Sequence, residues 1–446
     1  RRPRCPLDAT NNDGFSPLDL CVRDRRRETG ALLVAEGAKL QRDMRNKPPT
    51  LLEAVQNDLP FLCSYIAKFD TGRGPSAFSK QLMQADDDGR TPLALAAARG
   101  YIEVARCLME LRADPSAQGP DGRQPLHEAA GSNQRDMIGL LLERRVSLSA
   151  KDAQGRSALF HAAEHGHTDL CQWLISDCEF LIGEGLVVYD QDDREQTALH
   201  AAAAGGQARS CEVLLREAGD GDESSVLLHM EDWEGAAPVH LAMRHGHADV
   251  CRLLAERRAD LQATLDFGVT PLQVAAEGGH AAVLEVLLSD LAAQDDGASR
   301  MSAAMGARRV SDERTAWLAA AAGGHTACCR CLLEHGGGGL AEQVDRNGRG
   351  ALILAARGGH VDACRWLLEE SLASERLEVP DACGWTPLIA ASAEGKIEAA
   401  RYLLEARADV ATADPEGRTA RAWAKLRGHA TVEALLRRAE ADHGTA

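Results

Sequence analysis

Two short strings in this 446-residue chain have the residue types and spacing of metal chemistry. His161-Ala-Ala-Glu164-His165 matches the inverted zinc-peptidase pattern, in which a helix presents two imidazoles four residues apart and a carboxylate acts as base. His127-Glu128-Ala-Ala-Gly131 falls one residue short of the direct form, with Gly where the second imidazole should stand. A catalytic zinc also needs a third ligand and a pocket, and no other part of the sequence supplies either. The run Cys328, Cys329, Cys331 contains a C-x-x-C element, but on a helix its sulfurs lie on adjacent faces and no second C-x-x-C follows. The acidic runs Asp190-Gln191-Asp192-Asp193 and Asp220-Gly221-Asp222-Glu223 lack the sixth-position Gly and the terminal Glu of a calcium loop. There is no G-x-x-x-x-G-K phosphate loop and no G-x-S-x-G elbow. We therefore expect no catalytic, cofactor-binding or metal residue, and a chain that is not an enzyme.

The elements that carry these residues explain their spacing. A phrase recurs throughout: a Gly, one residue, Thr-Pro-Leu or a relative, an Ala pair, and a Gly-His nine and ten positions after the Thr. Clear copies start at Thr91, Gln124, Ser157, Thr197, Ala237, Thr270, Thr315, Gly350, Thr386 and Thr419, and weaker ones at Ser16 and Thr50. The spacing is close to 33 residues with occasional insertions, which is a solenoid period. Within a unit such as 88–114, Asp88-Gly89 signals a turn, Thr91 an N-cap and Pro92 a first helical residue. Leu93, Leu95, Ala96 and Ala97 make a short helix ending at Gly100. A second helix follows with Val104, Ala105, Leu108 and Met109 at helical spacing. Neither helix can bury its apolar face alone, so each pair packs on the next.

His recurs ten residues after six of the starts (His167, His247, His280, His325, His360, His429) and three after three of them (His127, His200, His240). Cys171, Cys211, Cys251, Cys329 and Cys364 share another phase, where Ala105 and Ala400 stand elsewhere. A residue type that recurs at one phase performs one repeated structural task. The cysteines are thus expected to be small buried hydrophobes, the imidazoles paired polar groups, and Thr91, Thr270 and Thr386 helix caps.

With D-G-R-T-P-L-A-L-A-A-A-R-G-Y at 88–101 and E-G-A-A-P-V-H-L-A-M-R-H-G-H at 234–247, the chain resembles the ankyrin-repeat family. The resemblance implies an all-α, ankyrin-type solenoid of about twelve helix-turn-helix units joined by β-hairpin loops, in one array over 1–446. Units start near 13, 47, 88, 121, 154, 194, 234, 267, 312, 347, 383 and 416. Insertions at 70–85, 177–195, 217–234 and 290–314 follow second helices, and their Asp, Gly and Ser content predicts surface loops. Arg421, in the place of the usual Leu of the last unit, predicts a solvated outer face. The imidazoles are implied to tie hairpin and helix ends together.

The resemblance also implies a binding face made of the hairpin tips and the exposed part of the first helices. Before each start stand Arg90, Arg123, Arg156, Arg314, Arg349 and Arg418, with Phe15, Val269 and Trp385 at the same phase. The arginines either pair locally with Asp88 or Asp121 or form a cationic row that steers an acidic segment of a partner. The apolar three are expected to be exposed anchors. Arg99, Arg244, His245, Glu277, Arg357 and Glu394 would line the adjoining helix face. Trp385→Ala and Arg349→Ala are then expected to weaken partner capture with little loss of stability.

Composition narrows the partners. Lys and Arg number 50 and Asp and Glu 67, a formal charge of −17 that repels nucleic acid in the absence of a local basic patch. Apolar runs are too short to span a bilayer, and residue 1 is an Arg with no signal-like stretch beside it, which reads as a cut end. Thirteen cysteines in a long chain favour a reducing compartment, hence the cytoplasm or nucleus. The expected function is a monomeric scaffold or adaptor in signalling that binds protein partners on its concave face. The alternative is the regulatory ankyrin region of a larger channel, kinase or acyltransferase.

Overall fold

The computed structural model describes residues 7–40, 50–70, 75–177, 188–219, 222–265, 268–293, 296–336, 338–369 and 377–443. The expected unit starts at 47 and 267, and the middle of the insertion at 177–195, lie outside these residues. The chain divides into two compact units, Arg1–Ser224 and Ser225–Ala446. Among the described residues six antiparallel helix pairs lie in the first, from Pro17–Arg23 with Arg27–Ala35 to Ala198–Ala204 with Ala208–Glu217. Six lie in the second, from Pro238–His245 with Ala248–Glu256 to Ala420–Leu426 with Ala430–His443. Among the described residues the hairpins contain no extended strand, only the isolated bridges Leu265 to Val269 and Ala413 to Thr419.

The first helices start where a side-chain oxygen meets a free backbone N–H. Oγ1 of Thr91, Thr270 and Thr386 accepts from the N–H of Ala94, Gln273 and Ile389, satisfying one of the donors that a helix N-terminus leaves open. Where the start residue is Gln124 or Ala237, Nδ1 of His127 or His240 accepts the start residue's own N–H instead, at 2.9 and 3.0 Å. Pro60, which replaces the Gly-His of the second copy, opens the helix Pro60–Asp70.

The Gly-His pair has a tertiary cause. Gly246 sits at φ +83°, and a Cβ there would lie 2.4 Å from Nδ1 of His280 in the next unit. Glycine therefore supplies both the left-handed conformation and the room for the imidazole. Nε2 of that imidazole donates back to the Arg244 carbonyl at 3.0 Å. His325, His360 and His429 make the same bond to Glu277, Ala322 and Ala393, as does His167 to Gly131. These five histidines thus tie their second helices to the end of the preceding unit's first helix.

The insertions are not plain loops. Helices Pro75–Leu82, Asp222–His229 and Gly297–Gly306 lie in three of them, and Leu227, Leu228 and Met305 are buried. Apolar residues at helical spacing within a polar stretch extend the core at those places. In the last unit Arg421 is half-buried and pairs with Glu440 of the final helix at 2.6 Å, so its aliphatic stem and its charge both find partners within the unit.

Candidate partner-binding face

Four of the six start-phase arginines, Arg90, Arg156, Arg349 and Arg418, have an aspartate four positions before them on which the hairpin is built. In Asp152, Oδ1 accepts from the N–H groups of Gln154 and Arg156 at 2.9 Å, leaving Oδ2 to face the Arg156 guanidinium at 3.3 Å. Asp86, Asp345 and Asp414 do the same for Arg90, Arg349 and Arg418. Arg90 also pairs with Asp88 and Arg418 with Glu416. Arg123 meets Asp121 at 3.2 Å and Arg314 meets Asp312 at 3.3 Å. The arginines therefore are not a free cationic row. The turn that places each one also places its counter-ion, and a neutralised pair has little reach for steering an acidic segment.

The remaining expected face residues are also engaged. Arg99 donates to the Gln56 carbonyl at 3.0 Å, and Arg357 and Glu394, from successive units, pair with each other at 3.0 Å. Arg244 pairs with Glu234 at 3.1 Å and Glu277 with Arg309 at 2.5 Å. His245 stacks beside His247, and desolvation, aided by His247 and Arg244, lowers its pKa. Phe15 and Trp385 are not fully exposed anchors. Arg23 covers the Phe15 ring, and Trp385 is half-buried with its ring centroid 4.7 Å from that of Trp423. Trp385→Ala and Arg349→Ala would therefore remove packing and a hydrogen-bonded ion pair, so neither is a clean surface probe.

The zinc-like string is taken apart by the fold. Nε2 of His161 donates to buried Asp152 Oδ2 at 3.0 Å, Nδ1 of His165 bonds the His161 carbonyl, and Glu164 faces Arg156. Burial alone would raise the Asp152 pKa, but the bonds from His161 and from the N–H groups of Arg156 and Gln154 hold it well below the carboxylate range. Among the described residues, no group of three or more His, Cys, Asp or Glu is placed to hold a metal ion. Cys171, Cys251, Cys328, Cys329 and Cys364 are buried, and desolvation pushes their thiols up to about 12, far from the thiolate that redox chemistry needs.

Buried His127 makes stability depend on pH. Desolvation lowers its pKa from 6.5 to about 4, outweighing the bond from Nε2 to the Ala150 carbonyl. The unfolded chain then binds the proton more readily, so stability is complete above about pH 6.5 and is lost as pH falls toward 4, by up to about 3 kcal/mol. Gln273 performs the same task with an amide: Oε1 accepts from the Thr270 N–H and Nε2 donates to the Ala307 and Arg314 carbonyls. His127→Gln should keep the bonds and flatten that part of the profile, which urea melts at pH 7 and pH 4.5 will check.

One part of the hairpin face is open. The hairpin aspartate is replaced singly by Gly119 in the Arg123 unit, but in two successive units Leu265 and Arg309 stand in its place. There the hairpin stems and first helices bound a cleft of about 710 Å³ in the second compact unit. Leu265, Val269 and Val274 form its apolar side, Trp233 stands at its edge, and the ion pairs Arg244 to Glu234 and Arg309 to Glu277 flank it. The cleft brings together Arg244, Val269 and Glu277 from the expected set and leaves the others elsewhere. Trp233, Leu265 and Arg309 escape a reading based on the start phase. The signal for Leu265 and Arg309 is the loss of the hairpin Asp found in most units, whereas Trp233 follows a retained hairpin aspartate, Asp232, and carries no such signal.

A family model described as Ankyrin repeats (3 copies) matches residues 41–152, 112–184, 145–225, 175–264, 221–298, 301–375 and 370–445. The chain is similar to the Transient receptor potential cation channel subfamily A member 1 homolog of Caenorhabditis elegans, 36% identical over 101 residues, 23% of this chain and 8% of that protein. It is similar to the human Transient receptor potential cation channel subfamily A member 1, 32% identical over 108 residues, 24% of this chain and 9% of the relative. Mouse Protein phosphatase 1 regulatory subunit 12A is 31% identical over 81 residues, 18% of this chain and 7% of that protein. The match thus spans less than a tenth of each relative. No described helix is long and apolar enough to cross a membrane. With the seven matches joined to the twelve helix pairs of the described residues, the chain belongs to the ankyrin-repeat family.

Proposed function

We propose that the chain is a non-enzymatic scaffold or adaptor that holds a segment of a protein partner against its hairpin tips and first helices, with the Trp233 cleft as the anchor point. Ankyrin repeats are protein-interaction modules, and the observation that carries this reading is an apolar-lined cleft with an exposed Trp among hairpins several of which are closed by Arg–Asp ion pairs. Trp and Arg are the residue types that dominate binding energy at protein interfaces. Arg244, Val269 and Glu277 are the members of the expected face that would touch the partner. Arg90, Arg123, Arg156, Arg314, Arg349 and Arg418 keep the hairpins in shape.

Affinity capture from a cell lysate, read by mass spectrometry, tests the reading with wild type, Trp233→Ala and Leu426→Ala, the last an exposed apolar residue in another unit. Partners held by wild type and Leu426→Ala should be lost from Trp233→Ala, while all three proteins melt together. Retention of the same partners by Trp233→Ala, or no partner above background for wild type, sinks the reading.

A second reading is that this array regulates a larger protein. It is favoured by relatives that include a channel and a phosphatase regulatory subunit, of which the match covers only a small part. Sequencing the full transcript decides between them: an encoded channel or catalytic module supports the second reading, and none supports the first.

A further inference from the structure

We infer that the occupant of the Trp233 cleft is an extended partner segment carrying an aliphatic side chain flanked by lysine or arginine, an inference that rests on the hairpin face being the partner-binding surface. The apolar part of the argument comes from the hairpins. Elsewhere their tips carry polar or small residues such as Asp87, Gln154, Asp193 and Ala382. Around the cleft they carry Trp233, 64% exposed, and an exposed Val310 that lies within van der Waals reach of the Gly268 position. Buried Leu265 and half-buried Val269 and Val274 add apolar lining to the cleft, and exposed apolar side chains gathered at one place mark an interaction site. A cleft of about 710 Å³ holds more than one side chain, which suits a stretch of chain better than a single anchoring residue.

The charge part comes from how the flanking ion pairs are oriented. Glu277 leaves 57% of its side chain in solvent while its partner Arg309 is only 16% exposed. The guanidinium is tucked into the wall and the carboxylate stands proud of it. Glu234 leaves 50% of its side chain in solvent against 42% for its partner Arg244, and Glu231, two residues before Trp233, is exposed. In both lining pairs the carboxylate is thus the more exposed partner, on a chain whose formal charge is −17. An incoming ammonium or guanidinium would meet Glu231, Glu234 or Glu277, and could lie over the open face of the Trp233 indole. A glutamate at the same place would meet like charge.

The test uses the full chain and three fluorescein-labelled peptides of one length, in which a leucine is flanked by lysines, by glutamates or by serines, read by fluorescence anisotropy. The lysine-flanked peptide should bind on the order of tenfold or more tighter than the glutamate-flanked one, and less so as salt rises. Trp233→Ala should weaken its binding on the order of tenfold or more, and Glu277→Gln by a smaller factor. Binding by the lysine-flanked peptide that is indifferent to Trp233→Ala would mean general attraction to an acidic protein and would overturn the inference. Equal or tighter binding of the glutamate-flanked peptide would overturn it too, as would no binding by any of the three. If Trp233-dependent capture of a cellular partner nevertheless persists, only the charge assignment falls and the binding face stands. If that capture is also lost, the face itself was misplaced.

Discussion

Replacing Asp152 by alanine is expected to lower the unfolding free energy of the first compact unit by about 3–5 kcal/mol, the range for breaking a buried ion pair by removing one partner. The carboxylate is buried and accepts four hydrogen bonds: two from the backbone of its own hairpin, one from Arg156 and one from His161. Alanine would leave the buried His161 ring nitrogen and two turn N–H groups without acceptors, each an uncompensated polar group. Asp152→Asn should cost less, because one amide oxygen can still accept the backbone donors while its NH₂ group opposes His161 and Arg156. Urea melts of the two variants beside wild type are the measurement. An Asp152→Ala loss under about 1 kcal/mol would mean that water replaces the carboxylate and that the hairpin is not held by it.

Trp317→Ala should be comparably severe, about 3–5 kcal/mol. Trp317 stands where Leu93, Leu126, Leu159 and Leu352 stand in other units, is among the largest fully buried side chains, and lies 6.1 Å from the ring of Trp366 in the following unit. The substitution therefore opens a cavity at a junction between neighbours, and in a solenoid the junction terms are what make unfolding cooperative. Hydrogen exchange should show loss of protection in the helices Ala316–Gly323 and Val361–Glu369 before it shows anything in the distal units. Trp317→Leu restores the residue usual at that phase, and it should cost clearly less because it removes a buried indole N–H that has no hydrogen-bond partner. Equal losses for Ala and Leu would show that ring volume alone matters at this position.

These expectations show where a one-dimensional reading succeeds. Thr91, Thr270 and Thr386 cap helices because the cap is made within four residues of chain, and local chemistry is visible in a local string. The phase of His280, His325 and His360 pointed to a structural task, but the identity of the acceptor was not legible. It lies 36 to 48 residues upstream, on the preceding unit. Of the two alternatives open for the arginines, local pairing holds, and Asp88 and Asp121 do pair with Arg90 and Arg123. The further carboxylates of Asp86 and Asp152 were not legible as partners, because only the folded turn brings their Oδ2 under the guanidinium. Likewise Trp423, in the place of an Ala, captures Trp385 and donates to Asp414 at 2.9 Å, repeating with an indole what His161 does with an imidazole.

The 33-residue period, the two helices of each unit, the burial of the cysteines at the recurring phase and the structural use of the histidines all follow from periodic apolar spacing and from residue types recurring in step. Such patterns survive in a string because each unit meets the same neighbour in the same way. The open cleft does not follow from them. It exists because two adjacent units, at Leu265 and Arg309, break the hairpin rule together, and because their stacking lays an apolar stem, an exposed indole and outward carboxylates side by side. Departures from a repeat carry no phase of their own, so their meaning appears only when neighbouring units are packed and the unlike side chains are seen to meet.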